Sequence, residues 1–269
     1  MNRYACLWIA IFTLLCISCG GKKPSVEKTP MKSDIRLDES DNEYSSMAAT
    51  YPDGNVEMGP VNNTAGVYCR ADSVIAGFLF RYVGNKLLSL FPTTTDSLQH
   101  SFAHRFEVVR PGYYSVWMSG GDIATEWTAT PNTAFGRVYF PRTATSRLYM
   151  EQLPVTGCRH GVTIQAESDT VLTGYCTVDT DTTYFAVFLS DRADTMLQRE
   201  SGIVLGFDTT RPHLSKDGIG IKIGCSSVGM REAQHAIYEE TATAGWHFKR
   251  AADEAARAWT AYHSLNASE

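Results

Sequence analysis

Five side chains near the middle of the chain are of types that do chemistry: His104, Glu107, Asp122, Glu126 and Glu151. Two carboxylates facing each other can divide acid and base work, one held neutral to give a proton and the other ionised to take one. Such a division requires both groups to share a cleft. A glutamate on a strand is ordinarily solvated, and the sequence leaves the faces of Glu107 and Glu126 open, so no catalytic pair is assigned. His104 has two readings, a hydrogen-bonded structural residue and a contact to a ligand. Asp179 and Asp181 in TVDTDTT offer oxygens of the kind calcium takes, but the further acidic positions and turn glycine of a calcium loop are missing. That segment reads as a β-turn, and no metal site is assigned.

The elements that position these groups are strands. Over residues 101–141, FAHRFEVV alternates its side chains and stops at Arg110-Pro111-Gly112, where Pro presets φ for the first turn position and Gly supplies a positive φ for the second. The chain then reverses into YYSVWM and breaks at Gly120 and Gly121. It resumes a period of two in IATEWTAT, with Ile123, Thr125, Trp127 and Ala129 on one face and Ala124, Glu126, Thr128 and Thr130 on the other. Three adjoining antiparallel strands follow from this. After Pro141 come RLYMEQL, HGVTIQAES, DTVLTGYCTV, TTYFAVFLS, SGIVLGFDT and DGIGIKIGCS, short and rich in β-branched and aromatic residues. The expected fold class is all-β, a large antiparallel two-sheet sandwich over residues 47–226. Only at the end does the period change. MREAQHAIYEETA and FKRAADEAARAWTAYHSL carry apolar residues at helical spacing, including Phe248, Ala252, Ala255, Trp259, Tyr262 and Leu265, so one or two linker helices occupy residues 227–269.

The same hairpin segment resembles the N-terminal β-domain of glycoside hydrolase family 92, the calcium-dependent exo-α-mannosidases. The resemblance is carried by Phe102, His104, Glu107, Pro111 to Tyr114 and Val116. It continues through Ile123, Glu126, Thr128 to Thr130, Arg137 and Tyr139 to Pro141. Gly66, Asp72, Ile75, Gly77 and Phe78 look like the strand before the family's sugar-facing loop, and IKIGCSSVGMREAQHAI with GWHFKRAADEAARAWTAYHSL looks like its closing strand and linker helices. The likeness covers roughly residues 50–265, with 150–215 matched in pattern alone.

Family members invert the anomeric centre, using an acid for the leaving oxygen and a carboxylate that activates water about 6.5–9.5 Å away. In the family those carboxylates, and most groups holding calcium, belong to a C-terminal (α/α)6 barrel that these 269 residues do not include. The resemblance therefore implies no catalytic residue and no cofactor held by this chain. It makes His104, Glu107, Tyr113 and Tyr114 the candidate carbohydrate-binding residues. The two tyrosines should fall on opposite faces, one buried and one exposed, and the exposed ring could stack on a sugar. Where the enzymes carry a loop of small and polar residues near the sugar, this chain reads LFRYVGNKLLSLFPTT over residues 79–94, with Leu87, Leu88, Leu90 and Phe91 in place of hydroxyl-binding groups. Scaffold motifs are kept and the sugar-facing loop is rewritten.

Three functions follow from this reading: a stand-alone, non-catalytic module that binds a glycan or a partner in α-mannoside utilisation; the β-domain half of a split α-mannosidase, activated by a separate helical barrel docking on the C-terminal helices; or a truncated remnant. The N-terminus bears on location. Arg3 precedes an apolar run from Ala5 to Ile17, shorter than the roughly 20 residues of a membrane-spanning helix, which is the form of a signal peptide over residues 1–18. Cys19 before two glycines suits lipidation, although Cys16 stands where such sites usually have Leu. Residues 19–46, charged and poor in aromatics, then form a disordered tether. The expected location is a bacterial membrane, periplasmic or cell-surface. Of the cysteines beyond the anchor, Cys69, Cys158, Cys176 and Cys225, none forms a C-x-x-C pair; Cys176 and Cys225 read as core residues, with one disulfide or none. A net charge of -5 gives no basic patch for nucleic acid.

Overall fold

The structure, a computed structural model, describes residues 49–62, 68, 71–151, 160–178, 180–211 and 217–266. The signal peptide, Cys19 and the tether lie outside the described residues, as do Gly66, Cys69, Cys158 and Asp179. No described helix is long and apolar enough to cross a membrane.

Among the described residues the strands form two antiparallel sheets. With strands numbered along the chain, the smaller sheet runs β1 (Ala49–Thr50), β2 (Val56–Val61), β4 (Gly77–Tyr82), β5 (Asn85–Thr93), β10 (Ser146–Glu151), β15 (Gly202–Phe207) and β14 (Thr195–Arg199). The larger runs β11 (His160–Ala166), β12 (Val171–Val178), β13 (Asp181–Leu189), β16 (Ile219–Ser226), β9 (Thr133–Tyr139), β8 (Ile123–Ala129), β7 (Tyr113–Met118), β6 (His100–Arg110) and β3 (Val74–Ile75). The inner faces meet over Phe78, Phe80 and Leu90 from one sheet and Tyr114, Trp127 and Phe185 from the other. This is the two-sheet sandwich that the alternating pattern predicts. The expected hairpins are present, with Gly112 at φ +77° in the β6–β7 turn.

Two helices lie on the larger sheet's outer face. Helix α1 (Met230–Glu240) buries Ala233 and Ile237 against Ala186. Helix α2 (Phe248–Asn266) buries Phe248, Ala251 and Ala252 against Val108, Tyr113 and Phe135, and burying Phe248 alone contributes roughly 1.5–3 kcal/mol. Trp259 continues the stripe and donates its indole N–H to the Thr50 carbonyl at 3.1 Å. Beyond it the sheet ends, and the last two members of the predicted apolar stripe are solvated: Tyr262 is 36% exposed and Leu265 70%.

Residues 79–94 differ from expectation. They are no loop but the body of the β4–β5 hairpin, closed by the two residues Val83 and Gly84. Leu87, Leu88 and Leu90 are core residues of the sandwich. Their apolar character is that of a strand packing inward. The sequence pattern also gave no sign of β14, which forms the edge of the smaller sheet.

Candidate functional site

Three of the four candidate carbohydrate-binding residues converge. Between Phe102 and Glu107 strand β6 advances five residues while its partner β7 advances two, from Met118 to Val116. The excess forms a bulge, which bends a strand and re-aims its side chains. Here it brings His104 back over Glu107, with Nδ1 and Oε2 2.6 Å apart. The other carboxylate oxygen, Oε1, accepts from the Tyr68 hydroxyl at 2.6 Å and the Tyr114 hydroxyl at 2.7 Å. Phe102 packs its ring 4.9 Å from the imidazole, nearly edge-on. The Glu107 side chain is 3% exposed and that of His104 40%. Both readings of His104 thus have a physical basis: it is hydrogen-bonded, and part of its ring faces solvent.

Tyr113 is elsewhere. Alternation along β7 sends Tyr114 into the inter-sheet core and Tyr113 to the opposite face, as expected, but the expected exposure of one ring does not follow. Tyr113 is 5% exposed and Tyr114 1%. The reason is α2, which lies over Tyr113 and sets Phe248 6.2 Å from its ring, with the Arg110 guanidinium 4.2 Å from the ring centre. Neither tyrosine presents a face on which a sugar ring could stack.

A second carboxylate occupies the Tyr113 side of the sheet. Glu126 Oε1 accepts from Tyr139 at 2.6 Å and Oε2 lies 3.4 Å from the Tyr113 hydroxyl. Burial is the main cause that raises the Glu126 pKa, opposed by the hydrogen bond from Tyr139 and the charge of Arg137. Burial and the same carboxylate push the Tyr139 hydroxyl well above the ordinary phenol value. Glu107 and Glu126 therefore belong to different faces of one sheet and share no cleft. Asp122 accepts from the Trp117 indole at 3.0 Å in the β7–β8 turn, and Glu151 pairs with Arg199 at 3.3 Å on the smaller sheet.

The donors that sequence reasoning missed are Tyr68 and Tyr139. Tyr139 stood in the quoted pattern, but nothing linked it to Glu126 before the register of β8 and β9 was known. Tyr68 reaches Glu107 across 39 positions of sequence, with no local signal. Calcium requires about six to eight oxygen ligands. Among the described residues no three His, Cys, Asp or Glu side chains converge, and Glu107 and Glu126 already accept phenolic hydroxyls, so the described residues do not fit that ion.

Comparison with known proteins agrees with this architecture. The glycosyl hydrolase family 92 N-terminal domain profile matches residues 42–257. Similar solved structures include a family GH92 alpha-mannosidase from Bacteroides thetaiotaomicron, at 15% identity and TM-score 0.66, covering 80% of this chain and 35% of that one. The family GH92 inverting mannosidase from Bacteroides thetaiotaomicron VPI-5482 gives 20% identity, TM-score 0.61, and coverage of 80% and 33%. Another GH92 family glycosyl hydrolase gives 22%, 0.65, 80% and 34%. At these identities the likeness is one of fold, and the chain spans about a third of the length of those structures. No curated protein matches the chain.

Proposed function

The chain belongs to the glycosyl hydrolase family 92 N-terminal domain family, and from that premise we propose that its β-domain is a non-catalytic module with a glycan-binding or interaction role in the handling of α-mannosides. The observation that supports this is the state of the two signature carboxylates. Inverting hydrolysis asks one carboxyl to deliver a proton and the other to activate water across an open cleft. Glu107 is shut in by Tyr68, Tyr114 and His104, and Glu126 sits on the opposite face under the helices. Of the first cluster only His104 is open to a ligand. Export as a bacterial lipoprotein anchored through Cys19 is part of the same proposal, supported by the apolar run and small residues that precede the tether.

A second reading, in which the domain completes an α-mannosidase by docking a helical catalytic domain, is favoured by α2. Its last turns project past the sheet with Tyr262 and Leu265 exposed, a surface suited to another helical body.

The purified chain, assayed on an aryl α-mannoside with and without calcium, should show no turnover. Hydrolysis that disappears in Glu107→Gln or Glu126→Gln would refute the non-catalytic role. Turnover that appears only when a helical family partner is added would select the second reading.

A further inference from the structure

The two sheets differ in what covers them. The larger carries both helices on its outer face, whereas the smaller has an open groove of about 450 Å³ over β10, β15 and β14, within the roughly 300–1,000 Å³ of ligand sites. Its floor follows from register. Leu197, Val204 and Tyr149 stand opposite one another across β14, β15 and β10, and the row is closed on β5 by Phe91, which is buried with Val61, Ala76 and Leu79. Their chain neighbours Leu205, Leu148, Met150 and Leu90 point into the sandwich, so this row faces outward. It is an apolar row at right angles to the strands, with Leu197 62% exposed at its outer end and the Arg199 guanidinium 5.8 Å from the centre of the half-buried Tyr149 ring.

Polar rows flank the strip. On one side Thr195, Gly206 and Arg147 are opposed, on the other Arg199, Gly202 and Glu151. The glycines keep the central strand low: a Cβ on Gly206 would come within 2.3 Å of the Thr195 hydroxyl oxygen. Each arginine is already answered by an acid. Arg147 lies 3.2 Å from Asp96, Arg199 3.3 Å from Glu151, and Arg211 pairs with both Asp194 and Asp208. An anionic ligand would have to compete with those carboxylates. A neutral polyhydroxylated one would not, because each hydroxyl can accept from a guanidinium and donate to a carboxylate held beside it. The apolar strip supplies the other requirement, a surface for the C–H face of a sugar ring, with Tyr149 as the aromatic. The openness of the groove suits a chain laid across it.

We propose that this groove binds a neutral oligosaccharide, its rings on Tyr149 and Leu197 and its hydroxyls on Arg147, Arg199 and the Arg211–Asp194 pair. That the natural ligand contains mannose rests on the reading given above; the site does not. Calorimetric titration of the full chain with yeast mannan oligosaccharides, cellohexaose and xylohexaose tests both. Tyr149→Ala should weaken binding at least tenfold. Leu197→Asp, at an exposed position that leaves the core intact, should do the same, while Tyr238→Ala on α1 stays within twofold. Binding of mannan oligosaccharides lost in both groove variants supports site and ligand together. Binding confined to cellohexaose or xylohexaose and lost in both supports the groove and overturns the mannose reading. Binding of any of the three that survives both groove variants, or is lost only in His104→Ala, overturns the groove and leaves the glycan-binding role standing. No binding to any probe overturns both.

Discussion

Lys222 is a cation roofed by aromatic rings. It lies on the larger sheet beneath the helices, 5% exposed, with Nζ donating to the Thr241 hydroxyl at 2.7 Å and lying 4.4 Å from the Trp246 ring and 5.1 Å from Phe135. Burial lowers its pKa from 10.5 to about 8. The folded protein therefore holds this proton less tightly than the unfolded chain does. Below pH 8 the full cost of the buried charge is present, and between about 8 and 10.5 stability rises with pH as the lysine neutralises. Melting wild type and Lys222→Met side by side from pH 7.5 to 10.5 should shift their difference in favour of wild type by up to about 10 °C, at roughly 2–4 °C per kcal/mol for this size. A difference independent of pH would mean that the rings and Thr241 hold the cation as well as water does. Nothing in the sequence marked Lys222, because IKIGCS reads as a strand whose lysine faces solvent. His104, Glu107 and Tyr114 were legible as members of one motif. Tyr113 was misread because alternation along a strand says which face a residue takes, not whether a helix from 135 positions later covers it.

At the scale of elements, short connections carry more information than their length suggests. Val83 and Gly84 close the β4–β5 hairpin at φ +48° and +77°, the left-handed pair that two-residue hairpins favour. For a β-branched residue that conformation costs roughly 1–2 kcal/mol, and Val83, 63% exposed, recovers little by packing. Val83→Asn should stabilise the protein by about 1 kcal/mol, read as a higher urea midpoint at unchanged slope. A lower midpoint would show that the valine is held by contacts that outweigh its strain. This valine is also why residues 79–94 failed to read as a hairpin: the turn lacks the Asn-Gly or Asp-Gly that announces one. Strand β14 failed for another reason. At the sheet edge, with Met196 as its one residue packed on the core, TMLQR has no alternation to detect. Helix α1 shows the converse, since one side chain anchors its end: Glu240 accepts from the Thr130 hydroxyl at 2.5 Å and the Asn132 amide at 2.9 Å, fastening the helix end to the β8–β9 turn.

For the whole molecule, the sandwich was legible because short runs rich in β-branched and aromatic residues recur between turn signals, and the helices because their period changes after Ser226. How the layers stack was not, since register and sheet order depend on contacts far apart in sequence. That stacking decides the fate of two thiols. Cys176 and Cys225 are buried in the inter-sheet core. They sit on β12 and β16 with β13 between them, about 10 Å apart at ordinary strand spacing and beyond disulfide reach. Burial raises the Cys176 thiol to about 11 and that of Cys225 well above the usual value, which removes the thiolate needed for attack. Together they make a built-in clock. Each thiol becomes chemically visible only when the sheets part, so its rate of alkylation by iodoacetamide measures how often the sandwich opens. Peptide mass spectrometry should find both sites modified at one common rate that climbs with urea as global unfolding does. Faster modification of Cys176 alone would reveal that the β11–β12 edge breathes independently of the rest.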